Sequence, residues 1–177
     1  MFPIKVLSKQ ALIAALYTVL TVSGLGVSYG ILQFRYSEIL MWLCFLDPKN
    51  ILGICVGCLV SNIFSPFGII DMFVGTAGSL FAGLLMAKSK SKWLASIWPA
   101  FFSFLYAGEA LFLGEINLQL FLPVTLQIML SEFIIVAIIG IPVFTLFLKN
   151  KKFEQIVIDQ EHLPTKETWA KISPLPF

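Results

Sequence analysis

Charged residues divide the chain into uncharged runs. None lies within residues 10–34, 50–70, 72–87, 93–108, 116–131 or 133–148. A helix needs about 20 mostly apolar residues to cross the hydrocarbon layer of a bilayer. The pattern therefore predicts a first span over residues 8–29, a third over 50–65, a fourth over 69–87, a fifth over 93–113 and a sixth over about 120–148. Between the first and third lies a shorter stretch, Glu38 to Asp47. By length alone it suits a re-entrant segment as well as a crossing.

Loop charge decides between the two. Lys5 and Lys9 flank the first span, Lys88, Lys90 and Lys92 follow the fourth, and Lys149, Lys151 and Lys152 follow the sixth. Short loops rich in lysine stay cytoplasmic. The three clusters share one side only if an even number of crossings separates each pair. Counting residues 38–48 as a crossing satisfies this; omitting it puts Lys88–Lys92 outside. The expectation is an all-α integral membrane protein of the cell membrane. It is a six-helix transmembrane bundle with a short, tilted second helix and both termini cytoplasmic. Residues 1–152 form the membrane domain. Residues 153–177, with Pro164, Pro174 and Pro176, form a cytoplasmic tail, partly helical along the membrane surface. The outer loops are residues 30–37, 65–69 and 112–119. Ser65-Pro66-Phe67-Gly68 is a turn signal, and Pro48 suits the first turn of the third helix.

Composition agrees. Of 177 residues, 58% are hydrophobic and 12% charged, with mean hydropathy +0.91. Soluble domains carry roughly 25% charged residues. The net charge of +2 is too weak to suggest nucleic acid. Lys5 and Lys9 before an apolar run resemble a signal peptide, but the run is too long and no small-x-small site closes it. Cys55 and Cys58 stand one helical turn apart. With no second Cys/His pair and His162 in the polar tail, they read as packing residues rather than a redox pair or half a metal site.

Polar groups gather toward the outer ends of the predicted spans. Gln33, Arg35 and Glu38 lie at the first outer loop, Asn62 ends the third helix, Asp71 starts the fourth, and Glu109 nears the end of the fifth. Glu132, nine residues past Pro123, lies about 13 Å down the sixth. Charges inside a bilayer are costly and mark substrate paths by default. The structural alternative ties Arg35 to Glu38 or Asp71 as a helix clamp. It does not account for the whole set, because Arg35 is the only arginine in the chain and faces four carboxylates. Either some are protonated or a cationic, donor-rich ligand completes the balance. A phosphate or carboxylate ligand would want several basic groups there. Asn62 and Gln33 can read both a carbonyl and an N–H. Tyr36, Trp42, Tyr106 and Phe112 reach the same level and could stack a flat ring, or serve as interface anchors.

Catalysis finds little support. No His lies in the membrane region, no phosphate-binding G-x-x-x-x-G-K-[ST] loop occurs, and Asp47 and Asp71 fall on opposite sides. Small residues mark helix contacts: Ala11 and Ala15, extended by Ala14 and Thr18, on the first helix; Gly53 and Gly57 on the third; Gly75, Ser79 and Gly83 on the fourth. The third and fourth helices should use theirs internally. For the first, an external partner is equally compatible with the spacing.

The run Gln33-Phe34-Arg35-x-Ser37-Glu38, then Gly53-x-x-x-Gly57-Cys58-x-x-Ser61-Asn62-x-x-Ser65-Pro66-x-Gly68-x-x-Asp71, then Gly75-Thr76, resembles the QueT family. Gly108-Glu109 and Ser131-Glu132 continue the likeness, which covers roughly residues 5–150. Members are substrate-binding S components of energy-coupling-factor (ECF) importers assigned to queuosine precursors, 7-deazaguanines bearing an aminomethyl or nitrile arm. The resemblance implies six helices, ligand capture at the outer face, and toppling in the membrane on a transmembrane coupling subunit. Two separate cytoplasmic ATPases hydrolyse the ATP, so the chain itself needs no cofactor and is not an enzyme. Ala11 and Ala15 match the Ala-x-x-x-Ala docking face. Nickel and cobalt members begin Met-His; this chain begins Met1-Phe2, which disfavours metal. Glu132 or Glu109 would read the guanine edge, Glu38 or Asp71 would meet the arm, and Arg35 would hold the loop through a carboxylate. The alternatives are an S component for another vitamin-like or nucleobase ligand, a solitary permease using Glu132 as proton carrier, and a structural assembly subunit with no cargo.

Overall fold

The computed structural model describes residues 4–29, 33–150 and 153. The expectations for the tail beyond Phe153 lie outside the described residues. Those that are described form helices and connecting turns, with no strand among them. Helix α1 is Ile4–Ser23, α2 is Tyr36–Leu46, α3 is Pro48–Phe64, α4 is Ile69–Lys88, α5 is Lys92–Phe112 and α6 is Leu118–Leu148. Four of them (α1, α4, α5 and α6) are long and apolar enough to cross a membrane, while α2 and α3 are shorter apolar helices. The first predicted span breaks early. Gly24 ends it, and a single turn, Leu25–Ser28, follows, since glycine is a poor helix former.

Local chemistry sets the helix ends. Asp47 accepts from the Lys49 N–H at 3.0 Å and Pro48 opens α3, where no backbone donor is needed. Gly68, at φ 66°, turns the chain into α4, a conformation a residue with a Cβ adopts only with strain. Asn117 caps α6 by accepting from Leu120 N–H at 3.0 Å.

The short helix α2 lies at the centre of the bundle, against α1, α4 and α6. Ser37, Glu38, Met41, Trp42, Leu43, Cys44 and Leu46 are all buried. Its first six residues, Tyr36–Met41, wind as a tight 3-10 helix before Trp42–Leu46 continue as α. A 3-10 turn rises about 2.0 Å per residue against 1.5 Å, so the segment covers about 20 Å.

Contacts at the two ends of α2 show that it runs antiparallel to α1. Thr21 donates to Ser37 at 2.7 Å at one end, and Lys9 pairs with Asp47 at 3.0 Å at the other. Lys92 shares a cavity with Leu46 and Leu148, so the beginnings of α1 and α5 and the ends of α2 and α6 gather at one pole. Arg35 and Asp71 meet at the opposite pole. The two aspartates of the membrane region thus lie at opposite ends.

The glycine faces pack internally. A Cβ on Gly57 would stand 2.9 Å from the Ala14 carbonyl, and one on Gly53 2.8 Å from that of Gln10. This is a close helix–helix approach of the small-residue kind. It corrects the reading of α1: Ala14 is buried and Thr18 bonds the Gly57 carbonyl at 3.2 Å, so both face α3. Ala11 and Ala15 turn outward and are exposed.

Helix α6 widens to a π-helix over Ile134–Gly140. Here Trp42 donates its indole N–H to the Val136 carbonyl at 2.8 Å, and its ring lies against Gly140. Trp42 therefore belongs to the α2–α6 contact and not to the predicted aromatic level. Phe112 is 80% exposed and also leaves that level, whereas Tyr106 is buried within it. Tyr36 is half-exposed, edge-on to Phe34.

Candidate functional site

Arg35 is the anchor at the Asp71 pole. Its Nη2 meets Asp71 Oδ2 at 3.3 Å, and both residues are 1% exposed. Its Nε donates to the Ser28 carbonyl at 3.2 Å. The guanidinium carbon lies over the rings of Tyr29 and Tyr106, 5.5 and 5.3 Å from their centroids. A planar cation suits such a slot better than an ammonium would. Tyr29 in turn donates to the Ser61 carbonyl at 2.5 Å, tying the first loop to α3. Gln33, at the start of this segment, holds a left-handed backbone at φ 40°, an uncommon conformation for a residue with a Cβ.

Asn62 and Asp71 are held together across the α3–α4 turn. The Asn62 amide donates to the Asp71 carbonyl at 2.9 Å. Gly75 leaves room for that amide, which any Cβ at this position would strike. Glu109, on α5, is buried and within electrostatic range of Asp71 and Arg35.

One 3-10 turn along α2, Glu38 accepts a hydrogen bond from the Tyr17 hydroxyl of α1. Glu38 and Glu132 line one cavity of about 10 Å³, clear space for about one water-sized group, together with Gly78, Ser79, Pro99 and Tyr106. Pro99 lacks an N–H, and the α-helical pattern of α5 is interrupted at Phe102, which helps to open this space beside α4. Tyr106 is also a wall of a second cavity of about 60 Å³, lined by Gln33, Phe67, Glu115 and Ile116 among others.

All seven predicted residues thus fall in one region, in two groups. Gln33, Arg35, Asn62, Asp71 and Glu109 form the first; Glu38 and Glu132 form the second. The pairing sorts the four acids differently from their order in the chain. Sequence reasoning missed Tyr17, Tyr29 and Glu115. Tyr17 and Tyr29 sit inside an uncharged run, where only three-dimensional contact reveals them.

Among the described residues, several buried polar atoms have no hydrogen-bond partner. They are the acceptors Asn62 Oδ1, Asp71 Oδ1, Glu109 Oε1 and Glu132 Oε2, the donor Arg35 Nη1, and the hydroxyls of Ser28 and Thr76. Buried polar groups are normally satisfied, so such a set calls for an explanation. Here acceptors outnumber dedicated donors. Among the described residues no group of three or more His, Cys, Asp or Glu could hold a metal ion.

The sequence profile described as "QueT transporter" matches residues 7–149. The Queuosine precursor transporter QueT of Lactococcus lactis subsp. cremoris (strain MG1363) is 38% identical over 102 residues, covering 53% of this chain and 60% of that protein. The match therefore spans about 60% of the length of this curated relative. No solved structure matches the chain.

Proposed function

The chain belongs to the QueT transporter family, and from that premise we propose that it is the substrate-binding S component of an ECF-type importer for a queuosine precursor. It is a multi-pass membrane protein; in this reading it crosses six times, with both termini cytoplasmic and the Arg35–Asp71 pole outward. The lysine-bearing pole then faces the cytoplasm, in keeping with the bias of short loops. Transport runs through a coupling subunit docked on Ala11 and Ala15, with ATP hydrolysed by two separate ATPases. The exposure of both alanines supports this docking face.

The observation that carries the reading is the set of unpartnered buried acceptors. A 7-deazaguanine presents ring N–H and amino groups along one edge. Glu109, Asn62 and Asp71 offer oxygens to such an edge, and Arg35 Nη1 offers a donor to its carbonyl. Tyr106 supplies a ring face beside it. Arg35, already bonded to Asp71, holds the loop as well.

Thermal unfolding of the detergent-solubilised protein with a panel of deazaguanines, purines and vitamins tests the cargo, since a ligand of the folded state stabilises by mass action. A deazaguanine should raise the midpoint most; a vitamin outside this class doing so would replace the assignment. Ala15→Leu tests the coupling. It should abolish uptake in cells and leave ligand stabilisation intact, whereas a solitary proton-coupled permease using Glu132 would keep transporting.

A further inference from the structure

Apart from the Arg35–Asp71 pole, the bundle carries a groove between α5 and α6. It encloses about 400 Å³, against about 10 Å³ for the Glu38–Glu132 space. Small-molecule sites run from roughly 300 to 1,000 Å³. Ile97, Ala100 and Phe101 of α5 and Leu126, Leu130 and Phe133 of α6 line it, all of them apolar. Ile97 and Phe101 stand one turn apart, as do Leu126 and Leu130, so each helix supplies a ridge. These four are about half exposed, while Ala100 between the ridges is buried. Lysines stand near one end of the groove. Lys88 and Lys90 are exposed in the turn that precedes α5. That turn is tied to both helices it joins. Trp98, next to Ile97, donates its indole N–H to Ser89 Oγ at 2.9 Å, and Ser89 Oγ donates to the Leu85 carbonyl at 2.8 Å. Ser89, which separates the two lysines, is thereby held one tryptophan side chain from the α5 backbone where the groove begins. Trp93, exposed one turn before Ile97, is placed as an interface anchor. Along α5, Ile97 and Phe101 lie about 7 and 14 Å past Lys92, within the roughly 15 Å that one leaflet contributes to the hydrocarbon layer. Among the described residues the one carboxylate at this pole is Asp47, and it pairs with Lys9.

We propose that this groove binds an acidic membrane phospholipid, with one acyl chain lying between α5 and α6 and the phosphate held by Lys88 and Lys90. The lining suits a hydrocarbon chain and offers no polar side chain to any other ligand. The groove descends from the lysines as a chain descends from its headgroup. Charge selects the kind of lipid. A zwitterionic headgroup brings its own cation to a pole that already carries lysines, whereas an acidic one brings only the anion they attract. Each lysine close to an acidic lipid surface strengthens binding by about fivefold. The site is independent of the cargo. It nevertheless backs onto the inner cavity: Pro99 and Glu132 line that space, and their chain neighbours Ala100 and Phe133 line the groove. A chain seated in the groove therefore supports the wall behind Glu132.

The test is native mass spectrometry of the full chain released from nanodiscs made of equal parts phosphatidylglycerol and phosphatidylcholine. The native protein should retain one phosphatidylglycerol in preference to phosphatidylcholine by at least about tenfold, as two lysines at about fivefold each allow. Lys88→Gln/Lys90→Gln should bring the two lipids to within about twofold of each other. Ile97→Trp/Leu130→Trp narrows the groove from both ridges and leaves the lysines in place. It should lower the retained fraction of phosphatidylglycerol by at least about fivefold, the worth of roughly one lysine contact. All four positions are exposed, so helix content by circular dichroism should match the native protein in both variants. Equal retention of the two lipids by the native protein overturns the site, leaving ordinary contact with the bilayer. So does a preference that survives the lysine changes, or retention that survives the narrowed groove. A second copy of the chain retained in place of lipid, and lost in the tryptophan variant, would overturn it in favour of a dimer contact.

Discussion

The ion pair Arg35–Asp71 can be weighed by a double-mutant cycle. Arg35→Met keeps the length of the side chain and removes its charge. Asp71 is then left buried, at 1% exposure, without its cation. Removing one partner of a buried pair typically costs about 3–5 kcal/mol. Loss of the contacts with Tyr29 and Tyr106 adds about 0.5–2 kcal/mol each. Asp71→Asn alone leaves Arg35 as the uncompensated charge and should be similarly damaging. The double variant Arg35→Met/Asp71→Asn buries no charge at this point. Its cost should shrink to the lost ring contacts and hydrogen bonds, so the two single effects should fall short of additivity by at least about 3 kcal/mol. The cycle is read from unfolding of the four purified proteins in mixed micelles with rising SDS. Ordinary hydrogen bonds between membrane helices couple by about 0.6 kcal/mol. A coupling no larger than that would refute the reasoning: Asp71 would then find another partner, and Arg35 would not organise the site.

Two further predictions concern packing. A Cβ on Gly57 would lie 2.7 Å from Tyr17 Cβ and 2.9 Å from the Ala14 carbonyl, both fixed to the α1 backbone, so Gly57→Ala should force α1 and α3 apart at about 1–3 kcal/mol. Gly108→Ala, which would meet nothing within 4 Å, is the control and should be neutral or stabilising in the same unfolding assay. Trp42→Phe removes the 2.8 Å bond to the Val136 carbonyl and should cost about 1 kcal/mol. Because Trp42 lies outside the site, ligand affinity should not change; a loss of affinity would mean that the π-helical stretch of α6 positions Glu132.

Much of this was readable from the chain. Long uncharged runs fixed α4, α5 and α6 to within a few residues, because a membrane span leaves no room for a charge without a partner. Arg35, Asn62 and Asp71 were visible for the same reason, being costly groups near helix ends. What escaped were features decided by neighbours rather than by the residue's own chemistry. Tyr17 looks like any aromatic in an apolar helix until α2 brings Glu38 against it. Trp42 looks like an interface anchor until Gly140 makes a seat for it. Ala14 and Ala15 differ in nothing but 100° of helix rotation, yet one packs on Gly57 and the other faces outward. The grouping of Glu38 with Glu132 comes from the packing of α2 on α6, which no sequence pattern states.

The length of α2 ties these observations together. At about 20 Å it falls short of a hydrocarbon layer of about 30 Å, even with its 3-10 turns. If it crosses as proposed, its two ends cannot both reach the headgroups. Arg35 and Asp47, which bracket it, must then lie below the surface, and charges at that depth persist only in company. Both are found in company: Arg35 with Asp71, and Asp47 with Lys9, with each of the three acidic and guanidinium members 1% exposed. The inner pair closes one pole with no polar atom of Asp47 left over. The outer pole leaves Arg35 Nη1 and Asp71 Oδ1 unpartnered. A short central helix thus sinks the Arg35–Asp71 pole into the bundle and leaves hydrogen-bonding capacity there, whereas the same shortening at the other pole is absorbed by a lysine. The asymmetry between the two ends, rather than the presence of charge at either, is what supports the proposal of a ligand at the Arg35–Asp71 pole.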